Sequence, residues 1–448
     1  VNVKEFIRNK QFLSFAGNII MSVLNILTNA VLYRHMEKDE LGVWFVFIVT
    51  FTFIDTFRTG FLQTAFIKFF AGAQKERAEN ILGSTWYVGF LTTGIVCLLT
   101  LPGYFLFGNT LHDKSISVIL GWTGVSFIST LPIVIATWIL QAEQRYGPIL
   151  YIRLVNQGVL ISIIGWCIYS HQLTLTSLLI ANLTTNVITS AIAFACGWTR
   201  LHTIFKQTTA SVKEIYHFGK FSVGTSISSN LLRSSDTYII NFTLGPGAVA
   251  VYNIAQSLMN IIEIPLRSFV ATAMTSLSAA QNNNYKEEVE KILKKYAGTL
   301  TILFIPVVIG AIAFADVGVG LLGGGKWVGT PAANVFRIFM IFAIFFPIDR
   351  FTGVTLDVIH QPRINFYKVL TMLVINVAGD FAGIYFLHNL YGVAIASIPT
   401  FVIGTLFGYL SLKHFLNFNL SQILRVGLAE SIMMIKGVLR KLPGRLVK

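Results

Sequence analysis

The sequence predicts an all-α integral membrane protein of about twelve transmembrane helices in two lobes around a central hydrophilic cavity, and three observations predict it. Hydrophobic residues make up 54% of the 448 residues, charged residues only 12%, and the mean hydropathy is +0.68. A soluble domain carries roughly twice that charge, so the apolar excess has to be satisfied by lipid. Apolar stretches of the roughly 20-residue span length recur along the whole chain, centred near Ile20, Val49, Thr93, Ser126, Ile161, Val187, Ile227, Ile254, Pro306, Ile344, Val374 and Ile403. Polar residues then recur in matching stripes in the two halves. Asn18, Ser22, Asn25 and Thr28 are followed by Thr52, Asp55 and Arg58 in the first half; Ser226, Asn230, Arg233 and Asp236 are followed by Asn260, Glu263 and Arg267 in the second. Steps of three and four place each set on one helix face, and inside lipid such a face looks into protein or water. Polar, arginine-bearing faces in both halves imply a cavity shared by two lobes, the layout of a transporter.

In chain order, Lys4, Arg8 and Lys10 precede a first apolar stretch long enough to span, which reads as a retained helix rather than a cleaved signal. The spans divide into an N-lobe over 1–205, a C-lobe over 206–415 and a basic tail over 416–448. Two places look short or broken, Leu101 to Gly108 and Ile348 to Leu356, the second just after Pro347. In the tail, Arg425, Lys436 and Arg440 share a face, with Ile432, Ile435, Val438 and Leu439 elsewhere around it, as in an amphipathic helix lying on the inner leaflet.

The Lys and Arg residues orient the chain, because cytoplasmic loops hold them in excess. With both termini cytoplasmic, the inner side receives Lys75, Arg77, Arg145, Arg153, Arg200, Lys206, Lys213, Lys286 to Lys295, Arg363, Lys368 and the tail. The outer side keeps Arg34, Lys38, Lys114 and Lys326. That asymmetry accounts for the net charge of +14 by contact with anionic lipid, so no nucleic-acid partner is needed. Cys97, Cys167 and Cys196 lie in apolar segments without metal-ligand spacing and read as packing residues. The run Leu322-Gly-Gly-Gly-Lys326 lacks the first glycine and the Ser/Thr of a phosphate loop and reads as a turn. No catalytic, metal or nucleotide constellation emerges, and the short outer connections leave no room for a folded extramembrane domain.

Several runs carry a resemblance. Leu41-Gly42-Val43-Trp44, Ile54-Asp55, Arg58-Thr59-Gly60-Phe61 and Ala65 through Phe70 in the first half, with Phe218-Gly219-Lys220, Arg233, Asp236, Leu244-Gly245-Pro246 and Val251-Tyr252-Asn253-Ile254-Ala255 in the second, resemble the Wzx-type polysaccharide exporters. Those exporters belong to the multidrug/oligosaccharidyl-lipid/polysaccharide (MOP) superfamily. The resemblance spans the whole chain at the level of pattern, and it implies two six-helix lobes of the MOP or MATE-like fold that open alternately to each side. It implies a flippase in the bacterial inner membrane, carrying an undecaprenyl-pyrophosphate-linked oligosaccharide outward for O-antigen or capsule synthesis. A monomeric transport unit, set among membrane lipids and beside a polysaccharide polymerase, is the implied assembly.

The residues make physical sense of such a cargo. Asn18, Asn25, Ser226, Asn230, Gln256 and Asn260 are candidates to line a wet path for sugars, and Arg58, Arg233 and Arg267 are candidates for the pyrophosphate. Arginine suits phosphate because its planar fork donates in pairs and stays charged, and each charge at mid-bilayer costs about 2.5–3.5 kcal/mol on insertion scales. The structural alternative is local pairing of Asp55 with Arg58, Arg233 with Asp236, Glu263 with Arg267 and Asp349 with Arg350. Asp380, four residues after Asn376, reads as a satisfied structural carboxylate. Asp55, Asp236 and Glu263 are also candidates for H+ or Na+ coupling. No cofactor is called for; H+ or Na+ coupling and the membrane potential acting on an anionic cargo are the candidate drives. Two other readings compete. A multidrug or cation antiporter of the same superfamily is disfavoured by the arginines in the stripes, and a membrane glycan polymerase or ligase is disfavoured by the short outer loops.

Overall fold

The computed structural model describes residues 10–70, 72–107, 113–283 and 285–441, and these are almost wholly helical. The first seven α-helices are α1 (Lys10–His35), α2 (Lys38–Phe70), α3 (Lys75–Phe107), α4 (Lys114–Ala142), α5 (Tyr146–Tyr169), α6 (Leu175–Ala195) and α7 (Thr209–Leu244). They are followed by α8 (Pro246–Asn282), α9 (Lys286–Ala313), α10 (Ala315–Gly323), α11 (Ala332–Ala343), α12 (Phe346–Val358), α13 (Pro362–Leu387), α14 (Leu390–Lys413) and α15 (Leu420–Lys441). Helices dominate because lipid offers no partner to a backbone N–H or C=O, so each spanning segment has to satisfy its own. Several helix starts are capped from the sequence. Asp113 accepts from the Ser115 N–H, Thr174 and Ser177 form a reciprocal capping box, and Asn389 accepts from the Tyr391 N–H.

Among the described residues, nine helices are long and apolar enough to cross a membrane, or ten if the bent pair α11 and α12 is one span. Neither α1 nor α7 is among them, and these two helices carry the polar stripes that begin at Asn18 and Ser226. The broken span expected near Pro347 is present: α11 and α12 meet at 51°, with the break at Ile344 and Phe345 and Pro347 in the first turn of α12. Among the described residues the other expected break, whose last residue Gly108 lies outside them, is absent. Helix α3 runs unbroken through Pro102 to Phe107.

The chain groups into two compact units, residues 1–250 with 322–324, and residues 251–321 with 325–448. In the first, α2 packs on α3, α4 and α7 around a core that includes Leu62, Phe66, Trp86, Leu131, Ile135 and Ile215. The boundary falls after α7 because that helix lies along α2. A Cβ on Gly42 would sit 1.7 Å from the Pro246 carbonyl oxygen, and one on Gly219 would sit 2.5 Å from that of Phe61. The ends of this unit's connections are tied by Arg77–Glu214 (3.0 Å), Arg200–Glu143 (2.5 Å), Arg145–Glu143 (3.3 Å) and Lys206–Glu79.

In the second unit, α13 and α14 make the most extensive helix contact among the described residues, through Gly379, Gly383, Gly392 and Ala396. Small residues of this kind let helix backbones meet where no hydrophobic effect drives them together. Phe342 and Phe401 stack at 5.0 Å beside the α11–α12 break. The tail helix α15 packs on α9, where a Cβ on Gly427 would lie 2.1 Å from the Gly298 carbonyl carbon. Glu290 accepts from the Asn417 N–H at 2.7 Å, and Lys295 pairs with Glu430 at 3.0 Å. The amphipathic helix expected for the tail is thus docked on a neighbour, with Leu424, Leu428 and Ile432 left exposed. The Arg440, Ile435, Val438 and Leu439 side chains lie outside the described residues. Gly427→Leu is expected to release α15 at a cost of about 1–3 kcal/mol, read as faster protease cleavage within 415–430 while the remaining helices stay resistant. Unchanged cleavage would contradict this packing.

Candidate functional site

The first polar stripe is divided by its neighbours. On α1, Asn18 and Asn25 are exposed, Ser22 is half-buried and Thr28 is buried. Gln157 on α5 donates to Thr28 Oγ1 at 2.7 Å, and Arg153, one turn earlier, donates to Asn18 Oδ1 at 2.9 Å. The network continues along the lobe, with Asn156 donating to Asn186 and Thr189 at 3.2 Å and Asn186 donating to Asn182 at 3.1 Å. Sequence reasoning missed this α5 face, although Arg153, Asn156 and Gln157 stand at i, i+3 and i+4. Arg153 was counted among loop cations; it is the eighth residue of a helix.

Arg58 is 2% exposed. Its Nε donates to Asp55 Oδ1 at 2.8 Å, Nη1 to the Phe127 carbonyl at 3.1 Å and Nη2 to Thr130 Oγ1 at 3.1 Å. The guanidinium carbon also lies 4.5 Å from the Phe127 ring centre. These contacts join α2 to α4, so the local pair with Asp55 is real and the arginine faces protein. On the neighbouring face of α2, Thr56 accepts from the Asn230 amide at 2.7 Å, and Gly60 leaves room for Ser226. The stripe of α7 therefore meets α2 through its asparagine and serine, while Arg233 is exposed and Asp236 half-buried.

The stripe on α8 forms a network of its own. Arg267 Nη2 donates to Glu263 Oε2 at 3.0 Å and to Asn260 Oδ1 at 3.2 Å. Its side chain stays 54% exposed, against 1% for Arg58. Arg267 is therefore held in place by one edge and able to present the rest of its donors to a ligand. Gln256, three turns earlier, is half-buried.

Two further intramembrane charges are arranged differently from expectation. Asp349 pairs with Lys368 of α13 at 2.7 Å, not with Arg350, which is exposed. Lys368, counted as a loop cation, is 3% exposed because α13 starts at Pro362 and carries it inward. Asp380 is fully buried and accepts from Asn376 at 3.2 Å, as a structural carboxylate would. Among the described residues, no group of His, Cys, Asp or Glu is placed to hold a metal ion, and Cys97, Cys167 and Cys196 are free thiols.

A family model described as "Polysaccharide biosynthesis protein" matches residues 31–331. The chain belongs to that family. Its all-helical multi-pass fold is that of MOP-superfamily transporters of known structure. It is similar to the "Probable low-salt glycan biosynthesis flippase Agl15" of Haloferax volcanii, at 21% identity over 421 residues, covering 91% of this chain and 84% of that one. Among solved structures it resembles the lipid II flippase MurJ in an inward closed conformation, with a TM-score of 0.73 at 16% identity over 96% of this chain and 93% of the other. An inward-facing multidrug resistance MATE transporter matches with the same TM-score and identity, over 88% and 95%. At these identities the structural matches speak for the fold alone.

Proposed function

We propose that this protein is a flippase that moves an undecaprenyl-pyrophosphate-linked oligosaccharide from the cytoplasmic to the outer leaflet of the inner membrane by alternating access, for O-antigen or capsule synthesis. The observation that carries the reading is Arg267, an arginine kept more than half exposed in a helix of spanning length and oriented by Glu263 and Asn260. A charge inside a spanning helix is costly, and a pyrophosphate is the anion whose paired oxygens match a guanidinium fork. Arg233, exposed on α7, is the second phosphate ligand in this proposal. Arg58 acts through the positions of α2 and α4, since its donors are already engaged. Asn18, Asn25, Ser226, Asn230, Gln256 and Asn260 offer hydrogen bonds to sugar hydroxyls. Membership of the polysaccharide biosynthesis family and the likeness to a glycan flippase support the cargo class.

The same reading supplies the drive. A cargo with about two negative charges gains roughly 4–5 kcal/mol moving outward through about 100 mV, negative inside. Of the candidate coupling carboxylates, Asp55 and Glu263 are each ion-paired, so H+ or Na+ would have to compete with an arginine there, and Asp236 is half-buried on α7. Both termini are cytoplasmic in this proposal, which puts the basic connections on the inner face.

The test is mass spectrometry of undecaprenyl-linked glycans in a host strain lacking the gene, complemented with wild type or with Arg233→Ala plus Arg267→Ala. A finished repeat unit is expected to accumulate on the cytoplasmic side, to be cleared by wild type, and to persist at least tenfold above wild type in the double variant, the loss of about 1.4 kcal/mol or more of cargo binding. If nothing accumulates in the deletion strain, the flippase reading fails and a multidrug role takes its place. If the double variant clears the glycan, the arginine assignment fails while the function stands.

A further inference from the structure

The first unit holds a cavity of about 210 Å³ that none of the stripe arginines reaches, lined by α1, α4 and α5. At about 30 Å³ per water this is room for about seven waters, the size of one pyranose ring. Its polar lining is Asn18, Thr137, Gln141, Tyr146 and Arg153. Gln63 donates to Gln141 Oε1 at 3.1 Å, which fixes that side chain with its amide N–H groups left to donate elsewhere. Arg153 is fixed in the same way, by its bond to Asn18.

Among the described residues no carboxylate lines this cavity and Arg153 has no ion-pair partner. The nearest acid in sequence, Glu143, is committed to Arg145 and Arg200. A guanidinium with an unused donor edge selects an oxyanion, most strongly as a bidentate pair. Flanking amides, a hydroxyl and a tyrosine are the groups that hydrogen-bond and pack a sugar ring. We propose that this cavity is a subsite for an acidic sugar, in which Arg153 receives the carboxylate of a uronic acid residue of the cargo and Asn18 and Gln141 receive its hydroxyls. The proposal rests on the glycan-cargo reading above and adds to it that the repeat unit is anionic beyond its pyrophosphate.

The experiment is saturation-transfer difference NMR on the full chain in phosphatidylcholine nanodiscs, with methyl glucuronide and methyl glucoside as matched probes that differ only at the carboxylate. The glucuronide response is expected to exceed the glucoside response about tenfold, the worth of one charge-assisted pair, and to fall to the glucoside level in Arg153→Gln. If that variant does not fold, Gln141→Leu, which keeps the arginine, is expected to lower the glucuronide response about threefold. Equal responses to the two probes, or an unchanged response in the folded variants, overturn the proposal. Displacement of the glucuronide by glycerol phosphate, or loss of its response in phosphatidylglycerol nanodiscs, also overturns it and makes the cavity a phospholipid-headgroup site. Because binding is read on purified protein, a failure of the in-cell flippase test and a failure here are separate results.

Discussion

Arg58→Ala is expected to lower the apparent Tm of the detergent-solubilised protein by roughly 10 °C, the equivalent of about 3–5 kcal/mol in a lobe of this size. The side chain is 1% exposed and gives hydrogen bonds to a carboxylate, a carbonyl and a hydroxyl. Removing it leaves Asp55 charged beside protein, and this uncompensated charge dominates the loss. Asp55 keeps 21% exposure, which places the cost toward the lower end of the range. Arg58→Lys keeps the charge but not the fork, so an intermediate value is expected. Arg58→Gln with Asp55→Asn, which removes both charges, should recover most of the stability. The double variant also separates two roles. If it is stable and still clears the lipid-linked glycan, Arg58 braces α2 against α4; if it is stable and inactive, Arg58 meets the cargo in another conformation. An Arg58→Ala protein that unfolds like wild type would remove the bracing role.

Lys368→Met is expected to be as damaging in the second unit. Lys368 and Asp349 are 4% and 8% exposed and 2.7 Å apart, and the ammonium also donates to the Asp349 carbonyl at 2.9 Å. Gly353 and Gly408 admit the lysine, since a Cβ on Gly353 would lie 3.4 Å from its Nζ and one on Gly408 3.3 Å from its Cδ. Loss of the lysine strands a buried carboxylate one turn after the α11–α12 break, at a cost of about 3–5 kcal/mol. Thermal unfolding followed by fluorescence-detected size exclusion should show a drop of roughly 10 °C. The companion variant Lys368→Met with Asp349→Leu removes both charges and should return close to wild type, because a buried pair contributes little net stability over an apolar one. If the pair variant is as unstable as the single one, the lysine acts through packing rather than charge.

These two sites show where pattern reading stopped. Asp55 and Arg58 are three residues apart, and Glu263 and Arg267 are four apart, so both pairings were legible from helix periodicity. Asp380 with Asn376 was legible for the same reason. Asp349 was not, because its partner lies nineteen residues away on α13 and its sequence neighbour Arg350 points elsewhere. The polar face of α5 was legible but lay outside the segments whose stripes repeat. The docking of α15 could not be read from periodicity, because an amphipathic pattern is the same whether the apolar face meets lipid or another helix; the contact of Gly298 with Gly427 decides it.

By itself the sequence determined that the chain is helical and membrane-spanning, where its polar faces fall, and where the second broken span lies. Each of these follows from hydropathy, helical periodicity and proline sterics, which act within one or two turns. Only the tertiary structure decided which arginines are enclosed and which remain available. Arg58 and Arg267 occupy similar places in their stripes, yet one donates to the Phe127 carbonyl and Thr130 of α4 while the other, among the described residues, donates to Asn260 and Glu263 of its own helix. That difference depends on what packs against each helix, and residues some seventy positions away supply it.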